Sequence, residues 1–137
     1  MPQVDVNWLA VVVSGVVSMM IGFVYYAKPV FGKMWMKEVG KTEKEIQEGA
    51  STSMYVMMFI SSLVLAYVMT HFVSYSGAES AMDGAITGFW AWLGFAATAG
   101  FATNLFSGKS MRLFAINYGY HLVDFVVIGA IVAQWMK

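Results

Sequence analysis

Three polar side chains share one face of the last apolar stretch of the chain: Asn117, His121 and Asp124, spaced i, i+4 and i+7. Imidazole titrates near neutral pH, so a histidine one turn from a carboxylate could carry a proton or an ion. With a serine nearby, the same pair could form a hydrolytic triad. A third arrangement involves no chemistry at all: the trio bonds to itself and to neighbouring hydroxyls and holds helices together. Which of these applies depends on the elements that surround the trio.

Those elements are apolar. The chain has 137 residues, of which 59% are apolar and only 12% charged, about half the charged share of an ordinary soluble domain. A soluble fold of this size could not hide that much apolar surface. Four stretches, about 6–27, 54–73, 84–106 and 113–136, are uncharged or nearly so. Each approaches the ~20 residues a helix needs to cross hydrocarbon. The first lacks a basic amino-terminal region and is longer than a signal peptide's apolar core, so it reads as a retained span. The expected fold is all-α, a single domain over 1–137: an integral membrane bundle of four transmembrane helices.

Charge orients the bundle. Lys28, Lys33, Lys37, Lys41 and Lys44 lie between the first two spans, and Lys109 and Arg112 between the last two. The loop between the second and third has no cation, and Lys137 lies alone at the far end. The positive-inside rule then places both basic loops in the cytoplasm and both termini outside, in a multi-pass protein of the plasma (inner) membrane.

On this orientation a rise of ~1.5 Å per residue puts His121 roughly 13 Å and Asp124 roughly 18 Å above the inner boundary, so Asp124 is close to the midplane of a ~30 Å layer. A carboxylate there must face protein or water rather than lipid. The same arithmetic brings Ser14 near Asp124, Ser18, Ser61 and Ser62 near His121, and Thr98 near Asn117. These hydroxyls would meet the hydrogen-bond demand that burial creates. Small residues at four-residue spacing (Ser14, Ser18, Gly22; Gly84, Gly88; Ala96, Gly100; Ala115, Gly119) allow helices to approach closely.

The cytoplasmic loop 28–53 has structure of its own. Phe31, Met34 and Trp35 fall on one helical face, while Lys33, Lys37 and Lys41 recur every four residues, a pattern suited to a short amphipathic helix in the headgroup layer. Phe31, Lys33, Trp35 and Lys37 are its expected lipid-facing residues. Thr42 to Glu45 form a capping box opening a turn that Gly49 ends, and Ser51 to Ser53 cap the second span.

Other chemistries find little footing. There is no cysteine, which removes disulfides, thiolate metal sites and cysteine nucleophiles. Zero net charge argues against a nucleic-acid partner. The two histidines lack zinc-type spacing, so neither metal nor cofactor is expected. Gly108-Lys109-Ser110 has no upstream glycine loop of a nucleotide-binding turn, and no serine sits in a nucleophile elbow. The chain reads as a non-enzyme whose partners are membrane lipids and copies of itself. A transported ion or small molecule is the alternative. A lipid-modifying enzyme is a second one, and it would require His121 beside a cytoplasm-facing cleft containing a serine.

The blocks Tyr25–Met36 (YYAKPVFGKMWM), Phe89–Thr98 (FWAWLGFAAT) and Ile116–Phe125 (INYGYHLVDF) resemble, in the same order, landmarks of the domain of unknown function 1761 family. The resemblance covers essentially the whole chain and implies a small membrane protein of about four helices. It implies no activity, substrate or cofactor.

Overall fold

Every long helix begins on a side chain that replaces a missing backbone acceptor. Asn7 accepts from the Ala10 amide, Ser51 from Met54, Ser80 from Asp83 and Ser110 from Leu113, at 3.1–3.3 Å. Such caps satisfy amides that a helix start leaves open. The computed structural model describes residues 1–136; Lys137, counted above among the cations, lies outside the described residues. The described residues form helices and no strand.

In chain order the elements are α1 (Trp8–Tyr25), a π-helical turn (Lys28–Gly32), α2 (Lys33–Val39), α3 (Glu43–Gly49), α4 (Thr52–Tyr75), α5 (Ala81–Ala91), a π-helical segment (Trp92–Ala97), α6 (Thr98–Phe106) and α7 (Met111–Trp135). α5, the π segment and α6 form one rod, Ala81–Phe106. Four helices, Trp8–Tyr25, Thr52–Tyr75, Ala81–Phe106 and Met111–Trp135, are long and apolar enough to cross a membrane. α1 ends at Tyr25, ahead of Pro29, which falls in the first turn of the π-helical element, where its missing amide costs nothing. Gly32 follows because a Cβ there would collide with the Tyr26 carbonyl oxygen.

α7 packs against all three other long helices. Its closest approach is to α5. A Cβ on Gly84 would collide with the Gly129 carbonyl, and one on Gly88 with the Phe125 carbonyl. Glycine on both helices brings the two backbones into contact, as small-residue packing between apolar helices requires.

Along the bundle the interior changes character. At the end holding the chain termini, Val11, Ala66, Met69, Val73, Ala91, Ile128, Val132 and Ala133 form an apolar core. Asn7 Nδ2 ties that end by donating to the Trp135 carbonyl at 3.3 Å. Midway lie buried serines and Asp124. At the loop end tyrosine rings fill the space. The outside is strongly apolar, with Leu9, Met20, Phe23, Val24, Met57, Trp90, Phe95 and Leu105 all exposed, far beyond the isolated apolar patches of a soluble surface.

The connector 28–53 is docked on the loop end. Phe31 stacks on Tyr25 with ring centroids 4.6 Å apart, and Trp35 meets Tyr26 edge-on at 5.8 Å. Phe31 and Trp35, expected to face lipid, thus rest against the tyrosine rings at the end of α1. Both are half-buried because the tyrosine rings at the end of α1 offer them aromatic partners. Lys33 and Lys37 remain exposed. Glu38 anchors the other side of α2: it accepts from Ser110 Oγ at 2.6 Å and lies 3.6 Å from Arg112. Thr42 caps α3 by accepting from the Glu45 amide.

Candidate functional site

Asp124 lies halfway along α7 and is 3% exposed. Ser18 Oγ, fully buried on α1, donates to Asp124 Oδ2 at 3.0 Å and stands 3.0 Å from Ser62 Oγ on α4. Ser62 Oγ in turn donates to the Met58 carbonyl at 3.0 Å. One polar chain thus links α7, α1 and α4 midway along the bundle.

The protons in that chain can be counted. A hydroxyl carries one proton. With the carboxyl ionised, two serine protons serve three contacts (carboxylate to Ser18, Ser18 to Ser62, Ser62 to the Met58 carbonyl). Two buried atoms beside this chain, Asp124 Oδ1 and Ser14 Oγ, have no hydrogen-bond partner among the described residues.

The expected stripe divides. Asp124 faces α1 and α4. His121, about 60° away around the helix axis, turns to an adjacent seam and lines an open groove of about 330 Å³ with Phe95, Ala96, Ala99, Gly100, Thr103, Tyr118 and Phe125. Its ring contacts are Tyr118 and Tyr120, and no serine lines that groove. Asn117 accepts from Tyr26 Oη at 2.9 Å. Ser18, expected beside His121, instead meets Asp124, one turn from the depth estimate. Ser61 and Thr98 do not join the layer. Ser61 is exposed on α4, next to Ser62 but a residue's rotation away from the interior, and Thr98 is exposed with its hydroxyl donating to the Gly94 carbonyl of its own rod.

Two features were not visible from residue types. The tyrosines at the end of α1 serve as ties: Tyr25 Oη donates to the Ile116 carbonyl at 2.7 Å. That approach needs Gly119, where a Cβ would lie 2.7 Å from the Tyr25 hydroxyl. The π segment is the second feature. It holds Trp92 so that Nε1 donates to the Tyr118 carbonyl at 2.9 Å, across to α7.

Among the described residues no group of three or more His, Asp or Glu could hold a metal ion. No curated protein and no solved structure matches the chain significantly. A family model does match, over residues 9–133, nearly the whole length. The chain belongs to the family described as protein of unknown function (DUF1761).

Proposed function

We propose that this is an integral membrane protein of the plasma (inner) membrane, without enzymatic activity or cofactor. Its role is structural or partner-binding, and it assembles with copies of itself. The reading rests above all on the Asp124–Ser18–Ser62 chain, which joins three helices midway along the bundle. The orientation has both basic loops in the cytoplasm and both termini outside, supported by the cation distribution. α2 lies at the inner boundary with its lysine face towards the headgroups.

Because the chain has no cysteine, single cysteines report topology cleanly. Glu79→Cys and Ser107→Cys lie at exposed positions of the two loops; the first is expected to react with an impermeant maleimide in whole cells and the second only after lysis, and the reverse pattern inverts the orientation. Asp124→Asn is expected to lower stability in detergent or disperse the assembly.

A second reading, transport of a proton or ion through the same layer, is favoured by one observation: Asp124 Oδ1 and Ser14 Oγ are buried without a partner among the described residues. Liposomes carrying a pH-sensitive dye test it. If Asp124→Asn leaves every flux unchanged, the transport reading falls. The lipid-modifying alternative loses support from the groove beside His121, which contains no serine.

A further inference from the structure

The connector between α1 and α4 holds five lysines, and they divide by their surroundings. Lys28 pairs with Glu43, and Lys44 lies 3.9 Å from Glu48. Lys33, Lys37 and Lys41 have no carboxylate within ion-pair distance among the described residues. These three converge on one open groove of about 470 Å³, together with Lys28, Glu43 and an apolar wall from Met36.

Four lysines and one glutamate line the groove, which leaves three cations in excess. Like charges held on adjacent turns repel. Topology selection accounts for the sign of this loop but not for the convergence of its unpaired members on one concavity. Nor are carboxylates lacking nearby, since Glu38 is engaged by Ser110 and Arg112 on the other side of α2.

We propose that this groove binds a phosphate group, with Lys33, Lys37 and Lys41 as its cationic ligands. A lipid headgroup is the source that the site suits best. The groove opens beside the end of α1, and Met36 gives an apolar wall against which a glycerol backbone can lie. Lysine ammoniums serve as point charges for phosphate without imposing a planar geometry. The inference does not depend on which face of the membrane the loops occupy.

Lysine acetylation mapped by mass spectrometry on the full-length protein in nanodiscs tests it. In phosphatidylcholine discs containing a minor fraction of phosphatidic acid, Lys33, Lys37 and Lys41 are expected to react several-fold more slowly than in phosphatidylcholine alone, with Lys44 and Lys109 unchanged. Inorganic phosphate added to pure phosphatidylcholine discs distinguishes the source: protection of the same three lysines there assigns the site to a soluble phosphate. Equal slowing of all five residues, or no protection in either arm, overturns the proposal.

Retained phosphatidic acid after detergent extraction gives a second readout. Lys33→Gln/Lys37→Gln/Lys41→Gln is expected to lower retention on the order of 100-fold, from the contribution of each lysine near an anionic surface, and Lys44→Gln to leave it unchanged. Retention by the triple variant equal to that of the unaltered protein overturns the proposal too.

Discussion

Ser18→Ala isolates the contribution of the polar layer, because α1 carries its own control one turn away. Ser14 and Ser18 are both fully buried, but Ser18 donates to Asp124 while Ser14 Oγ has no partner among the described residues. An interhelical hydrogen bond in a membrane protein contributes ~0.6 kcal/mol on average and up to ~1.7. Leaving a buried acceptor without its donor adds ~1–3 kcal/mol. Alanine is the better helix former by less than ~0.7 kcal/mol, which offsets part of this. The expected cost of Ser18→Ala is therefore about 2 kcal/mol. Ser14→Ala removes a hydroxyl that bonds to nothing among the described residues and is expected to be neutral or slightly stabilising. Reversible unfolding in mixed micelles, followed by helical circular dichroism, measures both. Adding Asp124→Asn to Ser18→Ala is expected to cost less than the sum of the single changes, by about 1 kcal/mol. If Ser18→Ala and Ser14→Ala agree within the ~0.3–0.5 kcal/mol scatter of independent sites, the serine–aspartate chain does not hold the bundle, and the structural reading fails with it.

The other predictions concern different contacts. Gly88→Ala drives a methyl into the Phe125 backbone and is expected to cost ~1–3 kcal/mol by overpacking; Gly94→Ala, with open space around it, is expected to be neutral or stabilising in the same assay. Tyr26→Phe removes the hydroxyl that donates to Asn117, and a loss near ~1 kcal/mol is expected for a bond of this kind. Glu38→Ala frees α2 from Ser110 and Arg112. Limited trypsin digestion is then expected to cut after Lys33 or Lys37 several-fold faster, and an unchanged rate would show that Phe31 and Trp35 alone hold α2.

Much of the architecture was legible because it is local. An uncharged stretch of span length, a serine before it and the lysines beyond it are all readable without neighbours, and Ser51 and the Thr42 cap sit where those patterns place them. Gly84 and Gly88 announced a close packing face. Their counterpart Gly129 did not stand out, since a single glycine in an apolar run acquires meaning only from the helix across from it. The π-helical segment at Trp92–Ala97 left no mark on composition.

For the polar trio the division is sharper. Helical periodicity alone determined that Asn117, His121 and Asp124 fall within one arc of α7, and hydropathy alone determined that Asp124 stands at mid-span. The tertiary structure decided what each one meets. Three different neighbours divide that arc: the tyrosine end of α1 takes Asn117, the rod from Ala81 to Phe106 takes His121, and the serines of α1 and α4 take Asp124. A rotation of about 60° along one helix is small in sequence but wide enough at the side-chain radius to cross from one helix–helix seam to the next. For that reason the partners of a polar face are a property of the packed bundle and not of the helix that carries it.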